Sequence, residues 1–111
     1  MRLFLYGTLM DPTTLAQRSG DPGLPRTRQR AWITGWQRVA LPGVPWPTLR
    51  RGHGGMVSGV TVTVGASALR RLSAYEGPAY RLRRVVVATL TGKTAAWTWI
   101  APGGTTRRWK G

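Results

Sequence analysis

The chain has 111 residues, a formal net charge of +14 and no cysteine; 41% of it is hydrophobic, and it carries six tryptophans. That length predicts one domain with one modest core over residues 1–111, and the apolar content excludes a disordered arginine-rich tail. Without cysteine there are no disulfides or thiolate metal sites, and with His53 the only histidine and Asp11, Asp21 and Glu76 the only side-chain acids, no metal is expected.

The chain begins MRLFLYGTLMDP, which lacks a signal-peptide core, and no window reaches the roughly 18 apolar residues of a membrane span. A soluble, cytoplasmic protein is expected. Fifteen of the 17 basic residues are arginine, and such a surface attracts polyanions. Because the arginines are dispersed and form no block of like charge, the pattern reads as compositional bias before it reads as a nucleic-acid-binding module, which stays an alternative.

In chain order, RLFLYG predicts a first strand stopped by Gly7. DPTTLAQRSG predicts a short helix with Asp11 as N-cap, Pro12 at the first helical position and Gly20 as the stop. DPGLPRTRQR reads as loop, and RAWITGWQRVAL as a long strand with a bulge or close approach at Gly35. PGVPWPTLRRGHGG, with three prolines and four glycines, predicts an irregular surface loop in which His53 is solvated. MVSGVTVTV alternates as a half-buried strand, and ASALRRLSAYEG as a helix capped by Gly77. RLRRVVVATLTGKTAAWTWIA reads as a hairpin around TGK with Trp97 and Trp99 on one face, and the tail PGGTTRRWKG as loop. Helices do not follow every strand, so the order predicts an α+β domain with a largely antiparallel sheet, open or closed.

Glu76 is the only glutamate. At about 100° per residue, the i, i+3, i+7 spacing of Leu69, Leu72 and Glu76 brings the carboxylate to within roughly 20° of Leu69, on the leucine face and turned from Arg70 and Arg71. Desolvation and the negative end of the helix dipole both raise its pKa there, whereas the protein's positive charge lowers it. Two readings stand: a general base, or a carboxylate satisfied by a nearby N–H or an arginine of RLRR. The second feature, LYGTLMDP, puts a glycine at a strand-to-helix turn, freeing backbone N–H groups for a carboxylate or phosphate, or simply making a tight turn.

Together the two stretches resemble the gamma-glutamylcyclotransferase-like superfamily. Its Tyr-Gly-Ser/Thr turn with a following Leu matches Tyr6, Gly7, Thr8 and Leu9; its Leu-Asp-x-Tyr-Glu-Gly segment matches Leu72, Tyr75, Glu76 and Gly77, followed by Tyr80 and Arg81. Ser73 stands where the pattern has aspartate, so a non-catalytic member of the fold is the other alternative. The resemblance implies a small mixed, largely antiparallel β-barrel with two or so short flanking helices, and a cofactor-independent enzyme acting on a small γ-glutamyl molecule. In such a substrate the α-amino group attacks its own side-chain carbonyl and releases 5-oxoproline and an amine or amino acid, so no protein nucleophile is needed. Implied roles are Glu76 as base then acid, the N–H groups of Gly7, Thr8 and Leu9 as anion binders, and Tyr6 and Tyr80 as hydroxyl-bearing walls. Leaving-group specificity is expected from residues 41–55, with Trp46 and the Arg50 and Arg51 pair gripping the substrate.

Overall fold

The N-terminal apolar run forms β1 (Arg2–Leu5), in which Leu3, Phe4 and Leu5 are buried. The structure, a computed structural model, describes residues 1–103. After β1 come a 3-10 turn at Thr8–Met10, α1 (Pro12–Ser19), a second 3-10 turn at Leu24–Thr27, β2 (Gln29–Ala40), β3 (Pro47–Thr63) and α2 (Ala66–Glu76). A hairpin of β4 (Arg81–Thr89) and β5 (Gly92–Ile100) follows. The strands close into a barrel in the order β1-β3-β2-β4-β5. Every pairing is antiparallel except that of β1 with β5, which meet in parallel at Leu3 and Trp97. This is the small mixed α+β barrel that the resemblance implies.

Strand alternation divides the apolar residues between two cores. Phe4, Ile33, Trp36, Leu49, Val57, Val85 and Val87 fill the barrel, while Leu3, Leu5, Val62 and Trp99 face outward and pack against Leu15 of α1 and Leu72 of α2. Trp97 shares the outward face with Trp99, but no helix covers it and it stays 37% exposed. At the start of α1 the Asp11 carboxylate accepts from the Thr14 N–H at 2.9 Å, and Gly20 ends the helix at φ 72°. No helix among the described residues is long and apolar enough to cross a membrane.

The stretch expected to be an irregular loop is largely strand, since β3 begins at Pro47 and pairs with β2 from Ala40↔Pro47 to Trp36↔Arg51. Its glycines mislead because the pairing needs them. Register shifts between Thr34 and Trp36, where β2 spends Gly35 (φ 79°) and β3 bulges through residues 52–55. A Cβ on Gly55 would sit 2.4 Å from the Trp36 carbonyl oxygen, so only glycine fits that crossing. His53 is exposed, as expected, but on a strand. DPGLPRTRQR is likewise part structured, holding the second 3-10 turn and the start of β2. The β4–β5 turn falls at Leu90 and Thr91, with Gly92 already paired to Thr89. Of the tail, residues 104–111 lie outside the described residues.

Gly59 matters for the site because it lets β1 lie close against β3 just before the chain turns at Gly7. A Cβ there would meet the Leu5 carbonyl oxygen at 2.3 Å and the Phe4 ring at 2.8 Å. Gly59→Ala is therefore expected to cost about 1–3 kcal/mol in urea unfolding, whereas Gly65→Ala, with open space around it, loses only the N-cap preference of α2, about 1 kcal/mol or less. Equal losses in the two variants would contradict this packing.

Candidate active site

The chain leaves the barrel at Tyr6 and turns at Gly7. The Gly7 and Thr8 carbonyls accept from the Met10 and Asp11 N–H groups at 3.0 and 3.1 Å, closing the turn. Among the described residues the N–H groups of Gly7, Thr8 and Leu9 find no backbone acceptor, which leaves a short run of donors at the start of the turn. The Thr8 hydroxyl is 2.7 Å from the Tyr75 hydroxyl, which ties this turn to the last turn of α2. Arg18 of α1 lies over the Tyr75 ring, 4.9 Å from its centroid.

α2 ends because Gly77 turns to φ 84° and donates its N–H to the Ser73 carbonyl at 3.1 Å. Leu72, one turn before Glu76, is fully buried, and Arg70 and Arg71 are exposed, as the helix phase predicts. Among the described residues the Glu76 carboxylate makes no hydrogen bond or ion pair, so it is not the satisfied counter-ion of the alternative reading. Burial pushes its carboxyl from 4.5 up to about 7. Desolvation beside the apolar wall is the cause of the shift.

Glu76, Tyr6, Gly7, Thr8, Leu9 and Tyr80 all line one cavity of about 160 Å³. That is below the roughly 300–1,000 Å³ of sites for drug-sized ligands and suits one amino-acid-sized group. The two tyrosine hydroxyls have committed their protons: Tyr6 donates to the Trp99 carbonyl at 2.6 Å and Tyr80 to the Pro47 carbonyl at 2.9 Å. Each therefore offers the cavity acceptor lone pairs and a ring wall. Burial, then the Glu76 charge, pushes Tyr80 up to about 12, and burial drives Tyr6 higher still. Tyrosines are neutral where Glu76 titrates, so Glu76 acts on them and they do not act on it.

Phe4, Leu5, Trp46, Pro47, Tyr75, Thr98 and Trp99 complete the wall. Trp46 is where the specificity reading put it, but Arg50 and Arg51 line a different surface and do not reach this cavity. Sequence reasoning passed over Tyr75, although it directly precedes Glu76 in the motif, and the hairpin residues Thr98 and Trp99 carried no signal. Ser73 is not among the residues lining the cavity; with Ala74 and Leu82 it lines an adjoining recess that shares Tyr80 and Trp99 with it. Among the described residues no group of three or more His, Cys, Asp or Glu comes together.

Fold and cavity define a small mixed-barrel protein with a single desolvated carboxylate opposite a glycine turn. Residues 3–110 match the family model for gamma-glutamyl cyclotransferase, AIG2-like, and the chain belongs to that family. An Arabidopsis thaliana protein known from a solution structure is 26% identical, with a TM-score of 0.77 over 99% of this chain and 74% of that one. A second Arabidopsis thaliana solution structure is 25% identical, with a TM-score of 0.77 over 90% of this chain and 61% of that one. A structure named gamma-glutamyl cyclotransferase shares the fold at 17% identity, with a TM-score of 0.77 over 95% of this chain and 68% of that one. No curated protein matches the chain.

The raised Glu76 pKa has a stability signature. Between pH 4.5 and about 7 the folded chain holds a proton at Glu76 that the unfolded chain has lost, so stability falls as pH rises through that window and the penalty is complete above it. The full shift corresponds to roughly 3 kcal/mol at most, with solvent screening at the cavity mouth reducing it. Urea unfolding of the wild type should therefore weaken between about pH 5 and 8 by an amount that Glu76→Gln lacks. Parallel stability profiles for the two proteins would place the carboxylate in water.

Proposed function

We propose that this protein is a cofactor-independent γ-glutamyl cyclotransferase in which Glu76 is general base and then general acid. The observation that carries this reading is the Glu76 carboxyl, raised to about 7, sharing one small cavity with the donor turn at residues 7–9. A base poised near neutrality accepts a proton from the substrate ammonium and still returns it at the same pH.

The substrate is a γ-glutamyl amide folded so that its α-nitrogen faces its own γ-carbonyl. Ionised Glu76 takes one proton from the α-ammonium, and the freed lone pair attacks the γ-carbon to form the new C–N bond of a five-membered ring. The carbonyl π pair moves to oxygen, and the N–H groups of Gly7, Thr8 and Leu9 are the donors proposed for that oxyanion or for the substrate carboxylate. As the tetrahedral centre collapses, the old C–N bond breaks and its electron pair leaves with the amine. Glu76 returns its proton to that nitrogen and relays the second proton lost by the ring nitrogen. The products are 5-oxoproline and a protonated amine or amino acid. Holding both reacting groups in one small, largely apolar chamber supplies the proximity, and excluding water protects the acyl centre from hydrolysis.

A panel of γ-glutamyl amines, γ-glutamyl amino acids and glutathione should yield 5-oxoproline from at least one member. Glu76→Gln is expected to lower the rate by roughly 10²–10⁴-fold, and wild-type kcat/KM should fall as pH drops through about 7, where the base becomes protonated. Equal rates in wild type and Glu76→Gln would remove Glu76 as the base. A folded protein inert on the whole panel would instead mark a non-catalytic member of the fold.

A further inference from the structure

A second recess opens on the barrel and shares no lining residue with the Glu76 cavity. It arises from topology. β2 and β4 pair only at Ala31↔Thr89 and Trp32↔Ala88, so beyond Trp32 the two strands part and leave a seam, with Trp36 in its floor. β3 brings Arg50 and Arg51 to one side of the seam, and β4 brings Arg81 and Arg83 to the other. Two hydrogen bonds tie β3 to Ala101 in the wall of the recess: the Thr48 hydroxyl donates to the Ala101 carbonyl and accepts from the Ala101 N–H, each at 2.9 Å.

The arrangement is electrostatically one-sided. Arg51 and Arg83 both lie over the same Trp36 ring, at 4.3 and 5.6 Å from its centroid, which gathers two guanidiniums at one indole. Among the described residues no carboxylate lines the recess. None of the three side-chain acids is placed to help: Asp11 caps α1, Asp21 accepts from the Gly23 N–H, and Glu76 faces the other cavity. Four like charges gathered without a counter-ion repel one another, and an anion between them relieves that repulsion while gaining planar, bidentate hydrogen bonds.

We infer that the seam between β2 and β4 is an anion-binding site for a small, multiply charged phosphate compound, held by Arg50, Arg51, Arg81 and Arg83 around Trp36. Its volume of about 720 Å³ holds a small molecule carrying two or three phosphoryl groups. A guanidinium fork grips two phosphate oxygens at once. The cyclotransferase reading needs no cation at this place, and the two sites stand or fall separately.

The test is isothermal titration of the full chain with inorganic tripolyphosphate at low and moderate salt, alongside a thermal melt with and without it. Wild type should bind and be stabilised, and Arg51→Gln/Arg83→Gln should lose affinity by roughly tenfold or more while keeping its fold and its 5-oxoproline formation. Arg26→Gln/Arg70→Gln removes the same charge from exposed positions outside the recess and should bind as wild type does. Equal losses in the two double variants would mean that overall charge alone attracts the ligand, which overturns the site. No binding at low salt overturns it as well. A single-stranded oligonucleotide bound in the same recess, with tripolyphosphate unable to displace it, would replace the small ligand with a phosphodiester strand and overturn the inference as stated.

Discussion

Everything about the cavity depends on leaving one carboxylate without a partner. In a chain of net charge +14 a lone glutamate would ordinarily find an arginine, and the fold prevents this by geometry. Helix phase sets Glu76 on the same side as the fully buried Leu72 while Arg70 and Arg71 face solvent. The barrel rim then supplies aromatic and backbone neighbours in place of cations. Burying an unpaired charge is costly, and the protein meets the cost by letting the carboxyl hold its proton up to about pH 7. That same compromise makes it a usable base near neutrality.

The rim is held in place by contacts that span the chain. Gly59 allows β1 to close against β3, so that Tyr6 and Gly7 emerge beside the end of α2. The Tyr6 hydroxyl is bonded to β5, the Tyr80 hydroxyl to the start of β3, and Thr8 to Tyr75. Each bond fixes a wall of the cavity to a different strand or helix, so the site is a property of barrel closure more than of any one motif. Pre-organisation of this kind is what an intramolecular cyclisation requires, since the enzyme contributes mainly conformation, a proton relay and oriented N–H donors.

Much of this was legible in the residues. Asp11, Pro12 and Gly20 mark the first helix, Gly35 the bulge, Gly77 the end of the second, and a 100° rotation per residue is enough to predict which way Glu76 faces. What was not legible depends on pairing across the fold. The first part of β3 looked like loop because its glycines answer to the backbone and side chains of β2, which no local window contains. Arg50 and Arg51 looked like part of the substrate site because Trp46 is near them in sequence, yet the strand carries them to a different seam. The dispersed arginines hid a convergence: residues about thirty positions apart meet over one indole only once β3 and β4 are on the same barrel.

The central claim is that Glu76 is a desolvated carboxyl that titrates near neutrality inside a ligand-sized cavity. The most direct measurement is the carboxyl-carbon chemical shift of Glu76 followed by NMR from pH 3 to 9, with and without 5-oxoproline. The account predicts a midpoint near 7 in the free protein and a clear change in the Glu76 resonance when 5-oxoproline is added. A midpoint near the ordinary 4.5, together with a resonance that ignores 5-oxoproline, would contradict it.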